Sequence, residues 1–416
     1  MLALVDCNSC YASCEQIFRP DLRDKPVVVL SNNDGCIVTR NTEAKALQIP
    51  GFEPYFKLKP YLAQHGVHVF SSNYELYGDI SWRIMQLLDQ YCNTLEVYSI
   101  DEAFLEVTGF TDLMAHGHLI KQACWREQRM PVCVGIAQTK TLAKLANHIA
   151  KKSNKLEGVC LIDRLDDWAA VFKKIPCQAI WGIGSKLSRR LSADGINSVY
   201  DLQQQSPKQI RRRYSVLVEH TVRELNNEPC IPLELKPPDK KEVFCSRSFS
   251  FKVTELADLR QSVASYAARA CEKLRAQSSL TGCVYVNIQT SRFGEHYYNN
   301  GQHIRLVTPS NDSRLIIKVA LDALASLFVP GYGYARAGVG LLDLCADSHC
   351  QDDLFESGQD AQSLKVMQTL DALNGRFGRG AVALAAQGIN PTWRMSRALK
   401  SPAYSTRLSD IPVIKI

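Results

Sequence analysis

The chain has 416 residues, of which 46% are apolar and 22% are charged, and its 49 basic and 42 acidic residues give a formal net charge of +7. This length predicts several compact units rather than one, and the composition excludes a disordered or fibrous protein. The basic excess is mild, so it permits nucleic acid as a partner without requiring one.

The N-terminal residues and the cysteines favour the cytoplasm. The chain begins without the basic and apolar regions of a secretory signal, and no run of 18 apolar residues predicts a membrane span. Its 15 cysteines are odd in number and scattered, which is typical of a reduced compartment. The pair Cys7 and Cys10, and the group Cys345, His349 and Cys350, lack a second pair at zinc-ribbon spacing, so we predict no zinc site. We expect a cytoplasmic protein without a membrane partner.

Strands and helices are mixed in the first part of the chain. Residues 2–5 form a short apolar run, typical of a buried strand, and Asp6 follows at its end. Further strands are predicted over residues 26–30, 95–107 and 132–137, with one helix over 42–47 and another after residue 138. The pattern predicts an α/β or α+β domain.

The second half of the chain changes character twice. Apolar residues recur at helical intervals over 163–228, and four prolines then predict a semi-rigid linker over 229–238. A second α/β domain is predicted beyond it, with strands over 243–251, 283–291, 303–307 and 337–342 and helices over 256–275 and 313–327. Residues 240–345 hold 13 Lys and Arg against 8 Asp and Glu, so this domain has either a phosphate-binding surface or a solvated basic face. From residue 351 onward, Gly375, Gly378, Gly380 and Gly388 together with weak periodicity predict a flexible tail.

Three carboxylates, Asp6, Asp101 and Glu102, belong to predicted strands. Nucleotidyl transfer uses two divalent cations held by hard oxygen ligands, and carboxylates of this kind suit Mg²⁺. Neighbouring residues on a flat strand point to opposite faces, so Asp101 and Glu102 can share a site only where the chain bends. An Asp-Glu pair considered alone is more often a solvated edge.

Residues 5–15 and 98–104 resemble the two acidic motifs of the Y-family DNA polymerases, in the same order and at a similar separation. The likeness is to the UmuC-like branch and extends through residues 70–77, 135–148 and 265–270, so it covers almost the whole chain. It implies an α/β (α+β) right-hand polymerase in four parts: a palm over 1–165 with fingers inserted at about 20–75, a helical thumb over 166–230, an α/β little finger over 240–345, and a C-terminal tail with partner contacts over 351–416.

The resemblance also implies a metal site. Asp6, Asp101 and Glu102 would hold two Mg²⁺ ions, with the backbone carbonyl of Cys7 as a further ligand. Many family members carry Asp where this chain has Asn8. UmuC-like members also lack this Asp, and no ligand role is assigned to Asn8.

Tyr11 lies five residues after Asp6, where the family has an aromatic steric gate that excludes the ribose 2′-hydroxyl; a packed core tyrosine is the alternative. The resemblance implies that the incoming nucleotide is contacted by Cys36, Val38, Thr42, Lys45 and Lys151. Thr42 and Lys45 replace the family's Tyr and Arg, so a hydroxyl and a cation remain while bidentate geometry is lost. A solvated helix-end lysine is the alternative for Lys151.

The remaining motifs concern DNA and partners. Residues 181–186 resemble a helix-hairpin-helix, in which glycines let backbone N–H groups reach a phosphate. Residues 245–249 resemble the start of the little finger, and residues 351–355 resemble the peptide by which bacterial polymerases bind the sliding clamp. The implied contacts are Gly182, Gly184, Lys186 and Arg247 to DNA, and Gln351, Leu354 and Phe355 to the clamp.

The family resemblance implies an error-prone translesion DNA polymerase of SOS mutagenesis. Its substrates would be primer-template DNA and dNTP, and its partners a UmuD′ dimer, a RecA filament and the sliding clamp. The alternative is a non-catalytic DNA-binding scaffold that stalls at lesions. The three carboxylates argue against a scaffold, since negative charge beside DNA weakens its binding.

Overall fold

The computed structural model describes residues 1–294, 296–349, 359, 361–389, 393 and 395–411. The chain forms two compact units. Unit 1 contains Met1–Pro237 together with Ala398–Ile416, and unit 2 contains Pro238–Arg397. Among the described residues, no helix combines the length and the apolar character needed to cross a membrane.

Unit 1 contains two β-sheets. Its strands are β1 Leu2–Cys7, β2 Val27–Leu30, β3 Ile37–Arg40, β4 His68–Ser71, β5 Thr94–Val97, β6 Glu102–Glu106, β7 Val132–Ala137 and β8 Val159–Ile162. The larger sheet has the order β5-β6-β1-β7-β8, and the smaller one has the order β3-β2-β4. In the larger sheet, β1 is central and antiparallel to both β6 and β7. The predicted buried strand before Asp6 is therefore confirmed, and the structure shows that it is the central strand of a sheet.

The helices of unit 1 cover these sheets and form a helical part after β8. They are α1 Cys10–Phe18, α2 Thr42–Ala46, α3 Tyr55–Gln64, α4 Tyr74–Leu88, α5 Leu113–Gln128, α6 Lys140–Lys152, α7 Leu165–Phe172, α8 Ser185–Ala193, α9 Val199–Gln203, α10 Pro207–Arg213 and α11 Val216–Leu225. The predicted helical character of residues 163–228 is confirmed.

Helix α6 packs unusually close to the larger sheet. A Cβ atom added to Gly135 on β7 would lie 2.2 Å from the backbone nitrogen of Asn147 and 2.3 Å from the carbonyl oxygen of Ala143. Only glycine fits at this contact. The Thr139 side chain caps α6 by accepting the N–H of Leu142. These contacts fix the position of the lysines that α6 carries.

Unit 2 is a four-stranded antiparallel sheet with helices packed on it. Its elements are β9 Val243–Val253, α12 Leu256–Ala276, β10 Ser279–Thr290, β11 Asn299–Ser310, α13 Ser313–Leu327, β12 Tyr334–Ala346 and α14 Ala361–Phe377, and the strand order is β11-β10-β12-β9. All the strands and helices predicted for this second α/β domain are present. The predicted fold class is thus confirmed in both units.

The prediction of a flexible C-terminal tail is wrong for the described residues beyond 359. Helix α14 packs on α12, where Arg275 donates two hydrogen bonds of 2.6 and 2.8 Å to the Asp371 carboxylate and Met367 is fully buried. Residues 398–411 pack into unit 1, where Ser401 is buried. Weak periodicity and glycines misled the prediction, because contacts with distant parts of the chain stabilise this segment.

Candidate active site

The candidate active site lies where β1 and β6 run side by side. Their antiparallel register places Asp6 directly opposite Glu102. The two side chains are 13% and 20% exposed, and their carboxyl groups are close enough to interact directly. Negative charge is therefore concentrated, partly buried, at the end of the larger sheet where β1 finishes and β6 begins.

Burial raises the pKa of Asp6 to about 7. Lys151 opposes this rise, whereas the neighbouring Glu102 carboxyl adds to it. Two crowded carboxylates in a partly dry site need positive charge to ionise together. The electrostatics of the pair thus favour a bound cation.

Two lysines of α6 supply positive charge to this pair. Lys151 Nζ lies 2.5 Å from Asp6 Oδ1, and Lys144 Nζ lies 2.7 Å from Glu102 Oε2. Lys144 also lies over the ring of Trp181, at 5.3 Å from its centroid. In the described part of the chain, no three His, Cys, Asp or Glu side chains are arranged to hold a metal ion. The two ammonium groups balance the negative charge of the carboxylates. Carboxylate oxygens are the ligands that Mg²⁺ prefers, so the residues fit a divalent ion.

Asp101 lies in a turn that interrupts the predicted strand over 95–107. The interruption separates β5 from β6 and provides the bend that a shared site requires. Ser99 Oγ donates to Asp101 Oδ1 at 2.6 Å and accepts the N–H of Glu102 at 3.0 Å. The N–H of Cys7 donates to the carbonyl of Asp101 at 2.8 Å, and this hydrogen bond holds the turn against the end of β1. All three predicted carboxylates therefore lie at the same end of the larger sheet, where β1 finishes and β6 begins. Of the three, Asp6 and Glu102 interact directly.

The side chain of Asn8 is hydrogen-bonded to β7. Its Nδ2 donates to Cys133 Sγ on β7 at 3.3 Å, and its backbone N–H donates to the carbonyl of Pro131 at 2.8 Å. The amide of Asn8 is thus engaged by β7, and the absence of a ligand role for Asn8 stays a prediction.

Tyr11 belongs to a cluster of three aromatic rings from α1 and α4. It stacks on Tyr77 with ring centroids 4.6 Å apart and an interplanar angle of 16°, and it meets the edge of Tyr74 at 6.0 Å. Burial raises the pKa of Tyr11 to about 12, and the Asp101 carboxylate contributes to this rise. The ring is therefore held firmly and lies within the field of the candidate metal site.

Lys45 interacts with the charges of Asp6, Lys151 and Arg40. Lys45 Nζ donates to Ser9 Oγ at 3.1 Å. Burial lowers the pKa of Lys45, and the charges of Arg40 and Lys151 lower it further, whereas Asp6 opposes this effect. Three cations thus share one field, which suits the binding of a triphosphate.

Of the other predicted nucleotide contacts, Val38 lies on β3, Cys36 immediately precedes β3, and Thr42 begins α2. Cys36 and Val38 flank the fully buried Ile37, so their side chains point to the opposite face of the strand. Thr42 is exposed at the start of α2 and lines a cavity of about 420 Å³ together with Asn8 and Ser9.

The predicted DNA contacts in unit 1 lie at the start of α8. Gly182 has φ +85° and Gly184 precedes the helix, and added Cβ atoms would meet nothing within 4 Å at either glycine. Lys186 is exposed one residue after the helix begins. This turn is accessible to a phosphate.

In unit 2, Arg247 lies on the helix-covered side of β9, where it lines a cavity of about 290 Å³ with Tyr266 and Arg269. The uncovered face of the sheet carries Arg336, which donates to Ser246 Oγ at 2.6 Å. The predicted clamp-binding residues Gln351, Leu354 and Phe355 lie outside the described residues.

Sequence reasoning missed Arg40, Lys144 and Arg336. Lys144 and Lys151 are seven residues apart, so they lie on one face of α6, and this spacing was a usable signal. Arg40 and Arg336 had no comparable signal, because their positions depend on how strands are paired.

The chain is similar to known proteins along its whole length. Residues 5–148 match the impB/mucB/samB family, residues 240–354 match the impB/mucB/samB family C-terminal domain, and residues 365–414 match a domain of unknown function. The chain is 45% identical to the protein UmuC of Salmonella typhimurium and 41% identical to the protein ImpB of the same organism, with 100% of each chain covered in both cases.

More distant similarities extend to other polymerases. DNA polymerase IV of Brucella melitensis is 24% identical over 92% of this chain and 84% of its own. Among solved structures, a Y-family DNA polymerase chimera superposes with a TM-score of 0.66 at 24% identity, covering 83% of this chain and 99% of the chimera. An insertion ternary complex of Dbh DNA polymerase gives a TM-score of 0.54 at 24% identity, with the same coverage. At this level of identity, the two structures support the fold.

Proposed function

Since the chain belongs to the impB/mucB/samB family of Y-family DNA polymerases, we propose that Asp6, Asp101 and Glu102 bind the metal ions of an error-prone translesion DNA polymerase. The enzyme is a DNA-directed DNA polymerase that acts in SOS mutagenesis. The observation that carries the assignment of the site is the register of β1 and β6, which places Asp6 against Glu102 with lysines beside both. Y-family polymerases use divalent metal ions, and we propose two Mg²⁺ ions here.

Each group of side chains has a distinct proposed role. Bound Mg²⁺ would make the primer 3′-hydroxyl more acidic and neutralise charge on the pyrophosphate leaving group, with the Cys7 carbonyl as a further ligand. Lys45 and Lys151 would bind phosphate oxygens of the incoming dNTP, which gives Lys151 a partner other than Asp6. Tyr11 would exclude the ribose 2′-hydroxyl.

The proposed roles of the remaining nucleotide contacts follow from their positions. Cys36 and Val38 would form the roof over the base pair, and Thr42 would offer its hydroxyl to the triphosphate. Arg40 adds a cation to this set, since its charge lowers the pKa of Lys45. Small side chains in the roof are compatible with bulky, damaged template bases.

A primer-extension assay with the purified chain, Mg²⁺ and a primer-template tests this function. Extension by the wild type that is lost in Asp101→Ala supports the polymerase. Primer-template binding without any extension would favour the rival function, a non-catalytic scaffold at lesions. The crowding of Asp6 and Glu102 argues against that rival, because a scaffold gains nothing from negative charge beside DNA.

We propose that DNA contacts the start of α8 and the uncovered face of unit 2. The N–H groups after Gly182 and Gly184 would bind a backbone phosphate, with Lys186 beside them. Arg336 lies on the uncovered face of the sheet, while Arg247 is exposed and remains a proposed contact on its other side.

Lys186→Ala is expected to weaken primer-template binding a few-fold and to lower the salt dependence of log K by about 0.9, the loss of one phosphate contact. Fluorescence anisotropy titrations at several salt concentrations measure both quantities. Lys208→Ala is the control, because it removes an equal charge from an exposed position on α10. Identical salt slopes for the wild type and Lys186→Ala would contradict the contact.

We further propose that Gln351, Leu354 and Phe355 bind the sliding clamp. Replacing Leu354 and Phe355 by Ala removes two apolar anchors, each contributing on the order of 2 kcal/mol, so clamp binding should fall roughly 100-fold or more. Clamp pull-down and clamp-stimulated synthesis measure this loss, with Asp352→Ala as the control. A large drop in melting temperature, or unchanged clamp stimulation, would show instead that the pair belongs to the core.

The domain boundaries, the protein partners and the compartment are proposed from the resemblance to the family. We propose a palm over residues 1–165 with fingers inserted at about 20–75, a thumb over 166–230 and a little finger over 240–345. A UmuD′ dimer and a RecA filament are the other proposed partners, and the cytoplasm, where the DNA substrate lies, is the proposed compartment.

A further inference from the structure

The C-terminal segment 398–404 runs alongside β4, an outer strand of the smaller sheet of unit 1. Lys400 pairs in parallel with Ser71 at the end of β4. The N–H of Ser71 donates to the Leu399 carbonyl at 3.0 Å, and the N–H of Leu399 donates to Ser71 Oγ at 2.9 Å. The segment is thus held like an additional short strand, in the region that matches a domain of unknown function.

From this position, Ser401 reaches α1. Its side chain is buried, and its hydroxyl donates to Glu15 Oε1 at 3.0 Å while accepting from Asn73 Nδ2 at 2.9 Å. Tyr404 stacks on Phe18 at the end of α1, with ring centroids 4.8 Å apart. The segment therefore contacts α1 at two successive turns.

Glu15 links this contact to the aromatic cluster. The same oxygen, Oε1, accepts the hydroxyl of Tyr77 at 2.6 Å, and Tyr77 is the ring on which Tyr11 stacks. Tyr11 and Glu15 are four residues apart, so they share one face of α1. A continuous chain of contacts thus runs from Ser401 through Glu15 and Tyr77 to Tyr11.

Burying a carboxyl group costs free energy, because the group loses its contacts with water. Glu15 is fully buried, and this burial raises its pKa to about 7 despite the hydroxyl donors that oppose the rise. Apolar side chains of similar size would cost less free energy in such a position. What the carboxyl provides is direction, since it fixes both hydroxyl groups and hence the position of the hydroxyl end of the Tyr77 ring.

We propose that the C-terminal segment positions the steric gate: Ser401 orients Glu15, Glu15 orients Tyr77, and the stacked Tyr77 ring keeps Tyr11 from yielding to a ribose 2′-hydroxyl. The inference rests on the proposed function of Tyr11. A gate that excludes by collision works only while its ring cannot move, so loosening its support by a fraction of an ångström weakens the selection of the sugar. Ser401, Glu15 and Tyr77 are positioning residues, because none of them touches the nucleotide.

The test compares single-nucleotide insertion of dNTP and rNTP by Ser401→Ala and Tyr77→Phe. Each variant is expected to lose roughly fivefold in discrimination, the effect of one buried hydrogen bond, while dNTP insertion stays within about twofold of the wild type. The double variant should lose less than the product of the two, because both act through Glu15. Ser409→Ala, five residues beyond this segment and exposed, is the matched control and should change nothing. Unchanged discrimination in both single variants, or an equal fall in dNTP and rNTP insertion, would overturn the proposal.

A second measurement does not depend on polymerase activity. With 3-fluorotyrosine incorporated at position 11, the ¹⁹F resonance should shift or broaden in Ser401→Ala and remain as in the wild type in Ser409→Ala. An identical resonance in Ser401→Ala would overturn the positioning role, whatever the enzyme does. A wild-type chain that inserts no dNTP would instead refute the proposed function, and the resonance would still decide whether Ser401 holds the ring.

Discussion

Asp101→Asn and Glu102→Gln are each expected to reduce primer extension roughly 1000-fold while leaving primer-template affinity within about twofold. A metal ligand contributes several kcal/mol of charge stabilisation to nucleotidyl transfer, and each 1.4 kcal/mol corresponds to about tenfold in rate. Affinity should be spared, because the proposed DNA contacts lie at α8 and in unit 2. Single-turnover extension and anisotropy titrations measure the two quantities.

Glu106→Gln is the matched control for this prediction. Glu106 lies on β6 like Glu102, but it pairs with Leu2 at the far end of β1. It should extend primers like the wild type. Near-normal extension by Asp101→Asn or Glu102→Gln would show that the metal site has been assigned to the wrong carboxylates.

Tyr11→Ala is expected to lower the discrimination against ribonucleotides on the order of 100-fold, a typical limit for rejecting one extra hydroxyl by shape. Tyr11 stacks on Tyr77, and in the proposed gate this contact would hold the ring in place against a ribose 2′-hydroxyl. Insertion of dNTP should persist, because Tyr11 supplies no charge to the reaction. The kcat/KM values for a matched dNTP and rNTP pair measure the change.

Two further variants sharpen the interpretation of this result. Tyr11→Phe keeps the ring and should keep the discrimination, which separates shape from the hydroxyl group. Tyr61→Ala removes a tyrosine from α3 in the same unit and should leave the discrimination unchanged. If Tyr11→Ala rejects ribonucleotides as strongly as the wild type, another residue is the gate.

The bend at Asp101 shows where prediction from sequence ended. The strand pattern over 95–107 was readable, but not its interruption, where the Ser99 hydroxyl donates to the Asp101 carboxylate and accepts the backbone N–H groups of Asp101 and Glu102. The condition that these carboxylates need a bend followed from strand geometry alone. Only the folded structure showed that the chain bends between β5 and β6.

The sequence by itself determined the elements and the family, because periodicity and motifs are local properties of the chain. It was sufficient to place Asp6 at the end of a buried strand, whereas the central position of that strand and the helix that carries Tyr11 were not predicted. The tertiary structure alone decided which side chains meet: Lys144 with Glu102, Arg247 on the helix-covered face, and Ser401 with Glu15, a contact across 386 positions of the chain. Such contacts arise when distant segments bury their surfaces together, and no local pattern records which segments those are.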